Sequence, residues 1–274
     1  MKQRLKKLLY SAYASSGKNL APFKNIHAGE SCYIFGDGAS IKWFDLARFS
    51  DKPAFILGLL FLHKKFLHIG RPIYGLLAEP YYFYSYFRLP MPPYSLWKNN
   101  IQRRYREVIR QHIDSQFFVS LSNYPVLRGP NVNYLFQSIP DSTFPIQCLS
   151  QNQNPMHGSL RVSITLAIFM GFSTIYLIGC DYTHAKSRSK HWYEFGSGVS
   201  NELVGYNKKF FDIAKKYVDI ITVTLEGEGS LLSSIEYEKH THSAPVYSEN
   251  CDLVEMDDLL LLDTWPGYDV FTKS

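Results

Sequence analysis

An uncharged and strongly apolar stretch, Val162–Cys180, constrains the fold of this chain more than any other feature. Its length is close to that of a membrane-spanning helix. Gly171 divides the stretch, however, and the residue types differ on its two sides. Ser159–Met170 has helical character, whereas Thr174–Ile178 is rich in β-branched residues. A buried helix followed by a buried parallel strand has the same hydropathy as a membrane span. We therefore predict a helix and a strand here.

Strand-like and helix-like segments alternate along most of the chain. Further strands are predicted at Cys32–Phe35, Ala54–Leu60, Ile73–Ala78, Phe117–Leu121 and Ile220–Thr224. Further helices are predicted at Ile41–Phe49, Trp97–Ile113 and Asn201–Tyr217. Apolar strands that alternate with helices are typical of a parallel sheet covered on both faces. The pattern therefore predicts an α/β fold: a Rossmann-like, mostly parallel sheet with helices on both faces and a small lid region.

Composition and charge divide the chain into three predicted regions. The 274 residues, of which 46% are hydrophobic, suffice for one sizeable core. Basic residues crowd the start of the chain, which predicts an N-terminal arm over residues 1–29. Acidic residues crowd the end, which predicts a C-terminal tail over residues 237–274. Residues 30–236 between them form the predicted catalytic domain. A lid is expected near residues 180–200, where a strand and a helix are joined by a long connection.

The two terminal regions suggest contacts with other molecules. In the arm, basic and apolar residues are interleaved, at Lys2, Arg4, Leu5, Lys6, Lys7, Leu8 and Leu9. This pattern indicates either peripheral contact with an anionic membrane surface or a solvated helix end. The Leu259–Leu262 run in the tail predicts docking on the body of the protein or on a second copy in a homo-oligomer. No recognised nucleic-acid motif accompanies the basic clusters, so we expect no nucleic-acid partner.

The cysteines indicate a reducing compartment. They lie far apart, at Cys32, Cys148, Cys180 and Cys251. Without a Cys-x-x-Cys pair, they predict neither a disulfide framework nor a zinc site. The apolar stretch after Met1 is short and broken by Ser11 and Ser15, which argues against a signal peptide. We therefore expect a cytoplasmic protein, with any membrane contact peripheral and at the inner face.

A loop with two glycines, Gly36–Ser40, directly follows the predicted strand Cys32–Phe35. Glycine permits a sharp turn and a close approach of ligand, and amides at the start of the next helix can bind an anion. We predict that this loop binds a nucleotide and that Ser40 caps the helix. The residues assigned to that role are Gly36, Asp37, Gly38 and Ser40. Asp37 is expected to accept hydrogen bonds from ribose, a base amino group or backbone amides, or to act as a base, because a carboxylate repels phosphate.

A second polar segment follows the predicted strand Thr174–Ile178. It offers proton carriers, hydroxyl groups and cations, at Asp181, Tyr182, Thr183, His184, Arg188, Lys190, His191, Tyr193 and Glu194. Because ligands bind at the carboxyl ends of parallel strands, this segment and Gly36–Ser40 are expected to share one crevice. Histidine suits general-base catalysis, and Arg188 and Lys190 suit stabilisation of a leaving phosphate. A mobile basic surface loop is the alternative. The two histidines lack a third ligand at suitable spacing, so no metal site is predicted.

These segments resemble motifs of the metal-independent bacterial sialyltransferases that use CMP-sialic acid. They also resemble the wider group that includes motility accessory factors and hydroxymethylpterin diphosphokinases. Gly36–Ser40 matches the Gly-Asn-Gly-Pro-Ser loop of that group. Gly158–Ser159 matches its Thr-Ser-Gly helix start, and Gly171–Asp181 matches its Gly-Tyr-x-x-Ile-Tyr-Leu-x-Gly-x-Asp strand. Gly229–Leu232 is similar to its late Asn-Ser-Leu-Leu motif. Close likeness covers only short parts of Cys32–Ile235.

The resemblance implies roles for individual residues. Contacts with nucleotide and phosphate are implied for Glu79, Ser159, Tyr182, Thr183 and Tyr193. Glu79 stands where the group has an asparagine, and Met156 stands where it has an arginine. The histidine base of the sialyltransferases falls near Asn201, which cannot act as a base, so His191 or His184 must replace it. The predicted catalytic residues are then His191, His184, Asp181 and Tyr193.

The leading hypothesis is an inverting, metal-independent glycosyltransferase that needs no cofactor, with a nucleotide sugar as donor substrate. The resemblance implies a CMP-linked donor of the sialic acid or Kdo type. The acceptor is expected to be an oligosaccharide or lipid-linked glycan in the synthesis of bacterial lipopolysaccharide or capsule. One alternative is a Mg²⁺-dependent diphosphokinase of the hydroxymethylpterin type, with Asp37, Glu79 and Asp181 near the metal. Another is a non-catalytic nucleotide-binding assembly protein. The aromatic segment Tyr81–Tyr86 is expected to stack on sugars, touch the membrane or pack in the core.

Overall fold

The computed structural model describes residues 20–79, 82–83, 92–137, 153–154, 158–185, 188–198 and 207–271. Most of the predicted basic arm and most of the aromatic segment Tyr81–Tyr86 lie outside these residues. Met156, Asn201 and the first part of the predicted helix Asn201–Tyr217 lie outside them as well.

The described strands form one parallel sheet. Their bounds are β1 Ser31–Phe35, β2 Ala54–Ile56, β3 Ile73–Leu77, β4 Gln116–Ser120, β5 Val132–Gln137, β6 Gln153–Asn154, β7 Thr174–Ile178, β8 Asp219–Thr224 and β9 Ser233–Glu236. The order across the sheet is β6-β5-β4-β3-β2-β1-β7-β8-β9, and every neighbouring pair is parallel. The chain builds the sheet outward from β1 in one direction and from β7 in the other. The predicted Rossmann-like α/β fold is confirmed.

Each central strand contributes to two apolar cores, one on either face of the sheet. In β1, Tyr33 and Phe35 belong to one core, and Cys32 and Ile34 belong to the other. Successive side chains of a strand point to opposite faces. A strand covered on both faces must therefore be apolar throughout, which explains the continuous apolar runs in the sequence.

Helices cover both faces, as predicted. Their bounds are α1 Pro92–Gln111, α2 Ser159–Phe169, α3 Lys208–Ala214, α4 Tyr237–Thr241, α5 Asn250–Leu253 and α6 Met256–Asp263. Helices α2 and α3 pack in the core that contains Ile34, whereas α1 and α6 pack in the core that contains Phe35.

The apolar stretch Val162–Cys180 forms a helix and a strand, as predicted. Helix α2 ends at Phe169, Gly171 turns the chain with a φ of +91°, and β7 begins at Thr174. Among the helices that the structure describes, none combines the length and the apolar character needed to cross a membrane.

The single helix predicted over Ile41–Phe49 does not form. Two short 3-10 helices, Ala39–Trp43 and Leu46–Phe49, occupy this region, and Phe44 between them is extended. Isolated helices this short have little stability of their own, so tertiary packing decides their form. Ser40 therefore lies inside the first turn and does not cap it.

The segment from Tyr237 to Phe271 packs on the body of the protein. Leu259 and Leu262 of α6 are fully buried in the core, whereas Leu260 between them is 55% exposed. The side chain of Arg104 in α1 is paired with Asp258 at 2.7 Å. The apolar run in the predicted tail thus docks on the body, which was one of the two alternatives.

Candidate functional site

A cavity of about 770 Å³ opens at the carboxyl ends of β1, β2, β3 and β7. Its wall includes these predicted site residues: Gly36, Asp37, Gly38, Glu79, Ser159, Asp181, Tyr182, Arg188, Lys190 and His191. Four others are buried and do not line it: Ser40, Thr183, His184 and Tyr193. The cavity lies where the strand order reverses between β1 and β7, which is where open parallel sheets bind ligands.

The two polar segments meet at this cavity. Gly38 and His191 pair as an isolated antiparallel bridge. The backbone N–H of Trp192 donates to the carbonyl oxygen of Asp37 at 3.1 Å. The loop after β1 and the loop after β7 therefore share one crevice, as the sequence indicated.

The amides of the glycine loop, however, are used within the protein. The N–H of Gly36 donates to Ile178 at 2.8 Å, and the N–H of Gly38 donates to Gly179 at 2.7 Å. The N–H of Ser40 donates to the carboxylate of Asp181 at 2.9 Å, and the Ser40 hydroxyl donates to it too. A phosphate would have to compete for these three amides, because carbonyls and a carboxylate of the β7 side already accept from them.

Close packing against β7 explains the two glycines. A Cβ at Gly36 would lie 2.5 Å from the carbonyl oxygen of Gly179. A Cβ at Gly38 would lie 2.5 Å from the carboxyl group of Asp181. Both positions need glycine because the neighbouring loop approaches the backbone, independently of any ligand.

Asp37 is anchored in the cavity wall by protein donors. Its carboxylate accepts from the N–H of Leu59 at 3.1 Å and from Nε1–H of Trp192 at 3.2 Å. Gly58 has a φ of +57°, and a Cβ there would lie 1.4 Å from the Asp37 carboxylate. Burial raises the pKa of Asp37 to about 6, although nearby His191 and these donors act in the opposite direction. The desolvation of this carboxylate thus outweighs the hydrogen bonds that it accepts.

Replacing Asp37 with asparagine is expected to stabilise the protein near pH 8 by up to about 3 kcal/mol. Burial raises the pKa of this carboxyl from 3.8 to about 6. The folded state therefore binds a proton more tightly than the unfolded state, and this stability is lost as the pH rises through the folded pKa. Asparagine keeps an acceptor for Leu59 without a charge to desolvate. Urea midpoints of both proteins near pH 8 and near pH 4 test this, and an equal difference at both values would contradict it.

His191 is the histidine that faces the cavity. Its Nδ1 lies 2.6 Å from Oε2 of Glu194, and its ring stacks on Tyr193 with centroids 4.9 Å apart. Tyr193 is only 1% exposed and lies behind the histidine, so the structure does not place its ring in the cavity wall. His184 is fully buried, with Nδ1 3.5 Å from Glu228. Of the two predicted histidine bases, only His191 lines the cavity.

The two predicted phosphate ligands are both ion-paired. The guanidinium of Arg188 contacts Glu228 at 2.6 Å and lies 4.3 Å from the ring centroid of Trp43. The Nζ atom of Lys190 lies 3.2 Å from the Asp269 carboxylate. Both cations line the cavity, but a phosphate would have to compete with a carboxylate for each of them.

The amino terminus of α2 is a feature of the site that sequence reasoning recognised only in part. Gly158 precedes the helix with a φ of +88° and as the N-cap residue offers no side chain to cap it, and the first turn has no acidic residue. The first helical hydrogen bond runs from Val162 to Gly158, so the amides of the three preceding residues have no partner within the helix. Such an end attracts anions.

Arg161 adds a positive charge to this helix start. A Cβ at Gly158 would lie 3.6 Å from its Nη2 atom, so the guanidinium lies beside the first turn and lines the cavity. Among the residues that the structure describes, Arg161 makes no ion pair with a carboxylate. The sequence signal for this charge is the position of Arg161, two residues after Ser159.

The parallel sheet and the cavity at its carboxyl edge place the chain in the class of Rossmann-like α/β proteins. No family model and no curated protein matches the sequence. Several solved structures are similar to this chain. The MAf glycosyltransferase from Magnetospirillum magneticum matches with a TM-score of 0.48 and 14% identity, over 88% of this chain and 38% of that one.

Sialyltransferases are among the matching structures as well. CstII from Campylobacter jejuni with cytidine-5'-monophosphate has a TM-score of 0.42 and 14% identity, over 86% of this chain and 98% of that one. A CST-II structure with a trisaccharide acceptor and CMP has the same TM-score and identity, over 89% of this chain and 96% of that one. Two kinds of protein from the group that the sequence motifs resemble are therefore among the structures similar to this chain, at low identity.

Proposed function

We propose that this protein is an inverting glycosyltransferase whose donor is a nucleotide-activated sugar. The observation that carries the proposal is the joint presence of His191 and the α2 terminus with Arg161 in the wall of one cavity. A base and an anion site facing the same space are the two elements that displacement of a nucleotide phosphate requires.

The reaction follows from these positions. His191 accepts the proton of an acceptor hydroxyl, and the hydroxyl oxygen forms a bond to the anomeric carbon of the donor. The bond from that carbon to the phosphate oxygen breaks, and its electron pair stays on the phosphate. The amides of the α2 start and the guanidinium of Arg161 stabilise the charge that develops there. A single displacement from the opposite side inverts the anomeric centre.

The donor in this scheme is CMP-linked and carries an acidic sugar of the sialic or Kdo type, in keeping with the sequence resemblance. Asp37 and Glu79 line the same cavity and can accept hydrogen bonds from ribose hydroxyls or from a cytosine amino group. The acceptor is an oligosaccharide or lipid-linked glycan at the cytoplasmic side of the membrane. Arg188 and Lys190 reach the donor only if it displaces Glu228 and Asp269.

The diphosphokinase alternative has weaker support. Of its three candidate metal-binding carboxylates, Asp181 accepts from Ser40, and Asp37 accepts from Leu59 and Trp192. Lone pairs that bind protein donors are less available to Mg²⁺.

Thermal-shift measurements and a transfer assay on the full chain test the proposal. CMP without Mg²⁺ is expected to raise the melting temperature, because a ligand at about 100 times its Kd adds roughly 2.7 kcal/mol to stability. Cytidine without phosphate is the matched control and is expected to act much more weakly. CMP-sialic acid or CMP-Kdo is then expected to be turned over with an oligosaccharide acceptor.

Other outcomes would decide against the proposal. Stabilisation by ATP with Mg²⁺ but not by CMP would favour the diphosphokinase. Stabilisation by CMP without turnover of either donor would favour a non-catalytic nucleotide-binding protein. Equal stabilisation by cytidine and CMP would remove the phosphate site at α2.

A further inference from the structure

The ring of His191 is hydrogen-bonded to the carboxylate of Glu194, and both oxygens of this carboxylate accept from protein donors. Oε2 of Glu194 accepts from the backbone N–H of His191 at 2.7 Å and lies 2.6 Å from its Nδ1. Oε1 of Glu194 accepts from the backbone N–H of Asp269 at 3.1 Å. The Glu194 side chain is only 6% exposed. Both carboxylate oxygens therefore have fixed partners, and the histidine ring has a defined orientation.

The backbone around Glu194 is also fixed. Nζ of Lys42 donates to the carbonyl of Glu194 at 2.6 Å and to that of Gly196 at 2.8 Å. The Lys42 side chain is fully buried and is paired with Glu249 from the C-terminal segment. The N–H of Phe195 donates to the carbonyl of Asp269 at 2.7 Å. A buried lysine and the C-terminal segment thus hold the turn that carries the carboxylate.

We propose that Glu194 is a positioning residue that orients His191 and keeps it basic. Its carboxylate accepts a hydrogen bond from Nδ1–H of the ring, which leaves Nε2 to take a proton from a substrate in the cavity. It also stabilises the imidazolium that forms when this proton is taken. The proposal rests on the proposed function only for the identity of that substrate.

The charges around His191 agree with this role. The groups near the ring are Asp37, Asp181, Tyr193, Glu194 and Tyr268, with its chain neighbour Lys190 paired to Asp269. Burial lowers the pKa of His191, but the hydrogen bond to Glu194 and the negative charges of Asp37, Glu194 and Asp181 outweigh it and raise the pKa above its ordinary value. Glu194 is the one of these carboxylates that contacts the ring.

Titration of His191 by NMR tests the proposal without requiring activity. The ring signal is assigned by its loss in His191→Gln, and the full chain is compared with Glu194→Gln and Glu194→Asp. In Glu194→Gln the titration is expected to move to lower pH, and Glu194→Asp, which keeps the charge, is expected to restore part of the shift. Glu236→Gln is the control, because its exposed pair with Lys239 lies outside the cavity wall. An unchanged His191 titration in a folded Glu194→Gln protein would overturn the proposal.

The transfer assay supplies a second readout. Glu194→Gln is expected to lower kcat by about 10- to 100-fold with little change in KM, since it weakens the base and leaves the anion site intact. The acid limb of the pH–rate profile of Glu194→Gln is expected to move to lower pH, because only a neutral imidazole accepts a proton. A shifted titration in a chain that transfers no sugar would keep the Glu194–His191 pair and reject the proposed function. Sugar transfer by Glu194→Gln with an unchanged acid limb would keep the proposed function and reject the role of Glu194.

Discussion

Replacing His191 with glutamine is expected to lower kcat for sugar transfer by about 100- to 10,000-fold, the usual contribution of a general base. The ring is the only predicted histidine base in the described cavity wall, and its Nδ1 is taken by Glu194. Glutamine keeps a polar group of similar size but cannot accept a proton near neutral pH. Nucleotide affinity should change little, because the α2 terminus is untouched. Initial rates at saturating donor and the Kd for CMP are the two measurements.

Two other histidines serve as controls for this substitution. His68→Gln changes an exposed residue outside the cavity and is expected to leave kcat unchanged. His184→Gln changes a fully buried residue and is expected to lower the free energy of unfolding more than it affects the chemistry. Wild-type turnover by a folded His191→Gln protein would exclude this histidine as the base.

Replacing Arg161 with alanine is expected to raise the Kd for CMP by about 10- to 100-fold. Hydrogen bonds to a charged group contribute about 1.5–3 kcal/mol, and each 1.4 kcal/mol is a factor of ten in affinity. Arg161 lines the cavity beside an uncapped helix start, and no described carboxylate neutralises it. The affinity for cytidine should not change, since cytidine has no phosphate. Calorimetry with both ligands measures the difference.

The matched variants separate charge from geometry. Arg161→Lys keeps the charge but loses the planar fork, so it is expected to recover only part of the affinity. Arg103→Ala removes an arginine of α1 that is 69% exposed and is expected to have no effect. If Arg161→Ala bound CMP as the wild type does, the phosphate would have to lie against Arg188 and Lys190, with their carboxylate partners displaced.

Five strands were predicted with accurate bounds, whereas β2 was predicted to reach Leu60 and ends at Ile56, and β5, β6 and β9 were not predicted. The predicted bounds of β1, β3, β4, β7 and β8 agree with the structure to within one residue at each end. These strands are apolar because both of their faces are covered. β6 has two residues, and β9 is the partly polar Ser233–Glu236 at the other edge. Neither carries an apolar run, so the sequence had no signal for them.

The position of the candidate site could be predicted from the sequence, but which of its side chains face the cavity could not. The rule that ligands bind at the carboxyl edge located the crevice between Gly36–Ser40 and the loop of His191. Nothing local indicated that Tyr193 lies behind His191 or that His184 is buried. Arg161 was missed because an arginine in the first turn of a helix is, in sequence, indistinguishable from a solvated one.

The alternation of the central strands with helices, the parallel sheet and the edge at which the two loops meet were determined by the sequence alone, because apolar periodicity is a local property. The tertiary structure decided which donors remain for a ligand. The amides of Gly36, Gly38 and Ser40 donate to acceptors on the β7 side, so the anion site that we propose lies at the start of α2 instead. It also joined Glu194 to Asp269, 75 residues away. Hydrogen-bonding groups pair with whatever partner the folded chain brings near them, and that choice has no local pattern.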